Sequence, residues 1–155
     1  MDVNGTASSL FRSQKGVKQG DPISPFLFIM VVEVLSVMIK RTSHMNLILG
    51  FKSAADASAI HHLEFVDNLI VFLDDQVEEI QNLKNILLSF ELVSGLKVNF
   101  KKSAIVAVGN AVNIEANAII FGCPITTLPM KYLGIPLGSK SKSVEVWDVI
   151  IQRFQ

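Results

Sequence analysis

The chain has 155 residues, 50% of them hydrophobic and 18% charged, and its formal net charge is zero. This length allows one hydrophobic core, and the composition excludes a disordered chain. A complete nucleic-acid enzyme usually carries a basic surface, which this chain lacks as a whole. Basic residues do cluster within residues 12–18, 97–102 and 140–142, but each cluster taken alone is best interpreted as a solvated loop.

Cys123 is the single cysteine. It excludes a disulfide within the chain and a cysteine-based zinc site, and it fits a reducing compartment. The apolar run from Phe26 to Ile39 is interrupted by Glu33 and Ser36, and it is shorter than the roughly 20 residues that a membrane span needs. The first residues lack the basic-then-apolar order of a signal peptide. We therefore expect a non-membrane protein with a buried core helix.

Asn4-Gly5 after Val3 predicts the tight turn of a β-hairpin. Only three residues precede this turn, so we expect the chain to begin within a hairpin and the sheet to have an unpaired edge. The second arm is predicted around Ser9–Arg12.

A long helix is predicted to follow, with Ser24 as its N-cap, Pro25 at its first position, and Lys40 and Arg41 at its C-terminal end. Four apolar residues at helical spacing form the predicted core face: Leu27, Val31, Val34 and Met38. The face opposite the predicted core face is also largely apolar, so we expect this helix to be buried on most sides.

Two apolar segments, His61–Val66 and Leu69–Leu73, predict a β-hairpin with Asp67 at its tip. Adjacent strand residues point to opposite faces, so His61 and His62 are interpreted as strand packing and not as a shared metal site. Asp74 or Asp75 is the predicted N-cap of a second helix, which reaches Ser94 and ends at Gly95. Its predicted core stripe consists of Ile80, Leu83, Leu87 and Phe90.

Further elements are predicted in the C-terminal third of the chain. They are strands over Leu96–Phe100 and Ala104–Val108, a helix over Ile114–Phe121 ending at Gly122, an extended edge segment over Lys131–Leu137 that contains Pro136, and a last helix from Ser143 that carries Trp147, Ile151 and Phe154. Helices interleaved with hairpin strands indicate an α+β fold, in which helices cover one face of an antiparallel sheet.

Two motifs in this order resemble the palm of the reverse transcriptases of LINE-type (non-LTR) retrotransposons, which are abundant in plant genomes. The first is the loop from Lys18 to Pro25, which reads Lys-Gln-Gly-Asp-Pro-Ile-Ser-Pro where the family usually has Arg-Gln-Gly-Asp-Pro-Leu-Ser-Pro. The second is Phe-Val-Asp-Asn at residues 65–68, where the family usually has Phe-Ala-Asp-Asp. The resemblance implies a partial reverse-transcriptase palm that uses Mg²⁺, an RNA template and a DNA primer, with Asp67 as the metal ligand of the hairpin.

The resemblance also implies roles for other residues. Gln19 and Gly20 would lie near the template and the incoming nucleotide, and Lys102 would assist the departure of pyrophosphate. Tyr132, Leu133 and Gly134 belong to a segment that resembles the hairpin gripping the primer end. On this basis residues 1–138 are a partial palm domain, and residues 139–155 begin the connection to the thumb.

Three departures from the family pattern predict an inactive fragment. Asn68 replaces the second Asp of the hairpin, and Glu64 stands where the family usually has Leu. The family's first metal-binding Asp lies on a strand well upstream of the loop, whereas Asp2 is the only carboxylate before Asp21 and directly precedes the Asn-Gly turn. The alternative is a non-catalytic nucleic-acid-binding or protein-binding remnant. A flanking coding segment that supplies the upstream Asp would favour the enzyme. Incomplete burial of the apolar helix predicts self-association.

Overall fold

The structure is a computed structural model that describes residues 20–52 and 59–138 in full, and the backbone of residues 2–3 and 6–7. Its helices are α1 (Ser24–His44), α2 (Val77–Ser94) and α3 (Ile114–Phe121). Its strands are β1 (Asp2–Val3), β2 (Thr6–Ala7), β3 (His62–Phe65), β4 (Asn68–Val71), β5 (Ile105–Val106), β6 (Ile125–Thr126), β7 (Met130–Tyr132) and β8 (Ile135–Leu137). The predicted mixture of helices and antiparallel strand pairs is confirmed.

The strands of the described residues pair in twos and do not form the single antiparallel sheet that the sequence predicts. The pairs β1–β2, β3–β4 and β7–β8 are antiparallel, whereas β5 and β6 are parallel. The parallel pair arises because α3 crosses over between β5 and β6 and returns the chain in the same direction.

The segment before β5 also departs from its prediction. The predicted strand over Leu96–Phe100 is wrong, because this segment has no strand and enters a turn at Phe100. The backbone N–H of Val98 donates to Glu91 Oε1 at 2.6 Å, so this segment bonds to a side chain of α2 and not to a neighbouring strand.

The N-terminal strands β1 and β2 pair on either side of the Asn-Gly dipeptide. Val3 pairs with Thr6 across the Asn-Gly dipeptide, so the second arm is β2 and begins directly after the turn. The predicted strand around Ser9–Arg12 lies outside the described residues. The helix predicted from Ser143, and the whole segment 139–155, also lie outside them.

Helix α1 begins one residue earlier than predicted, with Ile23 and not Ser24 as its N-cap. Asp21 organises this start, because its carboxylate accepts a hydrogen bond from the N–H of Ile23 at 3.0 Å and its carbonyl accepts one from the N–H of Ser24 at 3.0 Å. Pro25 lies in the first turn as predicted, where the lack of an N–H is harmless.

The buried face of α1 is not the predicted one. Leu27 and Val34 are exposed, and Val31 and Met38 are only partly buried. The buried residues are instead Val32, Leu35, Ser36, Ile39 and Thr42. Apolar residues surround the N-terminal part of this helix, so periodicity alone could not select a face. The β3–β4 hairpin and α2 pack against one side of α1, and this contact determines which face is buried.

The hydrophobic core lies between α1, α2 and α3. It consists of Leu35, Ile39, Ile48, Ile80, Leu83, Leu87, Phe90 and Phe121. The predicted stripe of α2 is thus confirmed at all four positions. Gly95 and Gly122 end their helices in the left-handed conformation, with φ of 74° and 86°, as predicted.

Carboxylates near the start of α2 are used in tertiary contacts and do not cap the helix. The N-cap is Gln76, so the predicted capping by Asp74 or Asp75 is wrong. Asp75 instead bonds to the start of α3. Glu79 is buried, and its carboxylate accepts hydrogen bonds from the N–H groups of Leu49 at 3.3 Å and Asp74 at 3.1 Å. Burial raises the pKa of Glu79 above its usual range. Separately, no described helix is long and apolar enough to cross a membrane.

Candidate active site

The β3–β4 hairpin places Asp67 at its tip. Phe65 pairs with Asn68, so Val66 and Asp67 are the two central residues of the turn, which confirms the predicted position of Asp67. Val66 has a φ of 54°, a conformation that glycine adopts easily and a β-branched residue rarely does. The backbone beside the candidate metal ligand is therefore strained, and Asp67 projects from it as an exposed side chain.

Asn68 contacts the carboxylate of Asp67 directly. Its amide nitrogen Nδ2 donates to Asp67 Oδ1 at 3.0 Å. The family pattern has a second carboxylate at this position, so the substitution changes two properties. It removes one negative charge, and it leaves one oxygen of Asp67 engaged with an amide donor. Both changes weaken the attraction of the hairpin tip for a hard divalent cation, which prefers charged oxygen ligands.

Below the hairpin, Ser36 of α1 joins two side chains of β3. His62 and Glu64 are two residues apart and so lie on one face of the strand. Ser36 Oγ lies 2.9 Å from His62 Nε2 and donates to Glu64 Oε2 at 3.0 Å. A hydroxyl group has one proton, and here Glu64 receives it, so Nε2 of His62 must be the donor to Ser36. Glu64 is therefore paired with a buried hydroxyl, and the hairpin is held on α1 by a chain of hydrogen bonds.

His61, just before β3, makes a separate contact with α1. Its Nε2 is hydrogen-bonded to Ser43 Oγ, so the two adjacent histidines have different serine partners and share no ligand. This agrees with the prediction that they pack and do not form a metal site. Burial lowers the pKa of His61, and the charges of His44 and Lys52 lower it further. Burial also lowers the pKa of His62, an effect that Glu64 partly opposes.

These two histidines predict an acid-sensitive fold. A histidine whose pKa is lowered by folding takes up a proton more readily in the unfolded chain, so its contribution to stability is present above about pH 6.5 and is lost as the pH falls below that value. We expect the midpoint temperature of thermal unfolding to be lower at about pH 5 than at about pH 7.5. The double variant His61→Gln/His62→Gln should show a flatter profile. His44→Gln should flatten the profile less than the double variant, because His44 affects the pKa of His61 only through its charge. An equally flat profile for His44→Gln would contradict this assignment.

The remaining predicted site residues lie on other elements. Gly20 is exposed just before α1 with a φ of 84°, and Gln19 lies outside the described residues. Lys102 is exposed in a turn, where its N–H donates to the carbonyl oxygen of Asn99 at 3.0 Å. No hydrogen bond within the described part of the chain joins Gly20 or Lys102 to Asp67.

Tyr132, Leu133 and Gly134 lie at the tip of the β7–β8 hairpin. Leu133 and Gly134 have positive φ values of 52° and 81°, which is the pattern of a tight type I′ turn. The predicted single edge strand over Lys131–Leu137 is therefore wrong, because the chain reverses in its middle. The hairpin implied by the resemblance is present.

The described residues do not fit the metal pair of a polymerase. Within residues 20–52 and 59–138, no three His, Cys, Asp or Glu side chains come together in a group that could hold a metal ion. Asp67 offers one exposed carboxylate, and its neighbour is an amide. A cation such as Mg²⁺ needs several oxygen ligands at once, and the hairpin tip supplies one carboxylate.

Residues 1–137 match the family model of reverse transcriptase (RNA-dependent DNA polymerase). The chain belongs to the reverse transcriptase family. It is 34% identical over 95 residues to the retrovirus-related Pol polyprotein from type-1 retrotransposable element R2 of Popillia japonica, a match that covers 61% of this chain and 12% of the polyprotein. It is also 36% identical over 66 residues to an uncharacterised mitochondrial protein of Arabidopsis thaliana, covering 43% of this chain and 54% of that protein.

The reverse transcriptase segment thus spans about half of one of these relatives and a small part of the other. No solved structure matches it. Reverse transcriptases act on nucleic acids and generally use divalent metal ions. The family resemblance drawn from the two motifs is confirmed by these matches.

Two sets of contacts were not predicted from the sequence: the hydrogen bonds of Ser36, and those of Asp75 with the segment that leads into α3. A signal existed for the first, because Ser36 is a polar residue within an apolar run and Glu64 is a charge within an apolar hairpin arm. Two unexplained polar residues in apolar segments are candidates for a mutual contact, since burying either alone is unfavourable. The partners of Asp75 are 37 to 42 residues away and give no such signal.

Proposed function

We propose that this chain is part of the palm of a non-LTR retrotransposon reverse transcriptase, with residues 1–138 forming the partial palm and residues 139–155 beginning the connection to the thumb. The observation that supports this most is the position of Asp67. It lies in a two-residue hairpin turn that follows the Gly20-Asp21 loop and α1, in the order that the family motifs require. The hairpin is also fixed to α1 through Ser36, so the carboxylate sits on an anchored element.

Within this proposal each site residue has the role implied by the family. Asp67 is the metal-binding carboxylate, and Gln19 and Gly20 lie near the template and the incoming nucleotide. Lys102 assists the departure of pyrophosphate. Tyr132, Leu133 and Gly134 hold the primer end, which suits their place at the tip of an exposed hairpin.

We further propose that the 155-residue chain by itself does not polymerise DNA. The hairpin tip carries one carboxylate and not two, and one oxygen of Asp67 accepts a hydrogen bond from Asn68. The described residues contain no further cluster of acidic side chains that could complete a Mg²⁺ site. Loss of one unit charge near a divalent ion is worth several kcal/mol, and each 1.4 kcal/mol of lost transition-state stabilisation slows a reaction about tenfold.

Primer extension on an RNA template tests this proposal. The purified chain, supplied with a DNA primer, dNTPs and either Mg²⁺ or Mn²⁺, is expected to give no product above background. Asn68→Asp restores the second carboxylate but supplies no further ligand, so we expect this variant to remain inactive as well. An active reverse transcriptase in the same buffer is the positive control. Robust, dNTP-dependent extension by the wild-type chain would refute the inactivity.

Binding of the nucleic acid is measured separately from catalysis. Fluorescence anisotropy with a labelled RNA–DNA primer–template distinguishes an inactive polymerase segment from a chain that has no nucleic-acid function. Binding without extension fits a palm remnant that retains its substrate surface, and it should weaken on raising the salt concentration. Absence of both binding and extension would favour the alternative of a protein-binding remnant.

A further inference from the structure

A stripe of exposed side chains runs along the whole of α1, opposite its buried face. Its members are Phe26, Met30, Glu33, Val37, Lys40 and His44. Successive members are three or four residues apart, so they lie on one line of the helix. The apolar members are unusually exposed, with 68% of the surface of Phe26, 68% of Met30 and 52% of Val37 accessible. Large apolar side chains aligned in this way are typical of an interaction surface.

The charges of this stripe are complementary to those of the same stripe on a second copy of the chain, when the two α1 helices run antiparallel. Glu33 and Lys40 lie one turn to either side of Val37. If two α1 helices cross antiparallel with Val37 at the two-fold axis, Glu33 of each copy comes beside Lys40 and Arg41 of the other. In a parallel pair the like charges would face each other instead. Two-fold interfaces are self-complementary in this manner, since residue i contacts residue j and j contacts i.

We propose that α1 is the contact between two copies of this chain, which form an antiparallel dimer centred on Val37. Met30 of each copy lies over the C-terminal turn of the other helix and adds apolar area on both sides of the charge pairs. The zero net charge of the chain adds no long-range repulsion between copies. One pair of helices gives an interface near the low end of the usual size range, so the dimer is expected to be weak and concentration-dependent.

This inference does not depend on polymerase activity, and it is tested without nucleic acid. Sedimentation equilibrium near pH 7.5 and at low salt should show a reversible monomer–dimer equilibrium for the wild-type chain. Glu33→Lys and Lys40→Glu each place like charges opposite one another twice per dimer, so each variant alone is expected to dimerise at least tenfold more weakly. Because positions 33 and 40 become complementary again, an equimolar mixture of the two variants should form a heterodimer that is tighter than either homodimer. The double variant should likewise dimerise more tightly than either single variant, but less tightly than the wild type, because Arg41 then faces a positive charge at position 33.

Leu92→Glu is the matched control. Leu92 is 87% exposed on α2 and is not part of the stripe, so its substitution should leave the dimerisation constant unchanged. Circular dichroism of every variant establishes that it is folded, and the mixing experiment needs only that both single variants fold. A monomeric wild-type chain at all concentrations, open-ended aggregates, or a mixture that associates no better than its components would each overturn the proposal.

Discussion

Gly50→Val is expected to destabilise the fold by about 2–5 kcal/mol. Gly50 has a φ of 72°, in the left-handed region where a side chain costs roughly 1–2 kcal/mol. An added Cβ would also lie 2.6 Å from Cδ2 of His61 and 2.9 Å from the carbonyl oxygen of Ile60. The second of these is a backbone atom that cannot rotate away, so overpacking adds about 1–3 kcal/mol. Urea-induced unfolding, followed by circular dichroism, measures the loss.

The damage should reach the hairpin that carries Asp67. Phe51, the next residue, forms an isolated antiparallel bridge with Ile60, and both hydrogen bonds of this bridge are 2.8 Å long. His61, the residue after Ile60 of this bridge, is hydrogen-bonded to Ser43 of α1. Displacing residues 60 and 61 would therefore loosen the approach of β3 to α1, and amide exchange of the β3–β4 residues should accelerate.

Gly109→Val separates backbone strain from the steric clash. Gly109 has a similar φ of 78°, but an added Cβ there would meet no atom within 4 Å. This control should lose only the 1–2 kcal/mol of the left-handed conformation. Equal losses for the two variants would show that close packing at Gly50 does not matter.

The sequence predicted local features best. The stripe of α2 and the glycines that end α2 and α3 were identified correctly, because helical periodicity and the left-handed preference of glycine act within a few residues. The turn at Asp67 was found for the same reason, since two apolar segments flank a short polar one. Each of these features depends on residues that are close together in the sequence.

Features set by distant contacts were not predicted. The buried face of α1 depends on which neighbours pack against it, and a helix that is apolar on most sides gives no preference. The parallel pairing of β5 and β6 joins residues 20 apart, as with Ile105 and Ile125, through a crossover that strand propensity does not report. Asp75 looked like a local helix cap, because Asp before a helix usually is one. Its actual partners lie just before α3 and within it.

The candidate site shows the same division. The position of Asp67 in the turn and the missing charge at Asn68 follow from the sequence. The hydrogen bond between these two side chains depends on their conformations in the folded chain, which the sequence does not specify. The sequence also indicated that Glu64 required a wet or paired environment. Its partner, Ser36, is 28 residues away, and no periodicity connects a residue of α1 with one of β3.

Asp75→Ala is expected to destabilise the fold by about 3 kcal/mol. The carboxylate of Asp75 accepts hydrogen bonds from the N–H groups of Val112 at 2.5 Å and Asn113 at 2.8 Å, and from Nδ2 of Asn117 at 3.0 Å. The first two are the backbone N–H groups of the N-cap residue of α3 and of the residue before it, so Asp75 anchors the segment that leads into α3. A hydrogen bond to a charged group is worth about 1.5–3 kcal/mol, and the three bonds of Asp75 share one carboxylate.

Asn117 makes this loss more severe. It is buried with 6% of its surface exposed, and its Oδ1 has no hydrogen-bond partner. Without Asp75 its amide nitrogen would lose its acceptor as well, and a buried polar group without partners is destabilising by about 1–3 kcal/mol. Asp75→Asn retains an acceptor oxygen but loses the charge, so this variant should be intermediate.

Asp74→Ala is the matched control for Asp75→Ala. Asp74 is adjacent and exposed, and its contact with Glu79 is made through its backbone N–H, which alanine retains. Its substitution should change the free energy of unfolding by less than about 0.5 kcal/mol. Amide exchange at Val112 and Asn113 gives a second readout, because both protons lose their acceptor in Asp75→Ala and keep it in Asp74→Ala. Unchanged exchange at these two amides in Asp75→Ala would show that the segment before α3 is held by other contacts. Accelerated exchange there would instead show that one carboxylate at the start of α2 holds α3, and with it the connection between β5 and β6, in place.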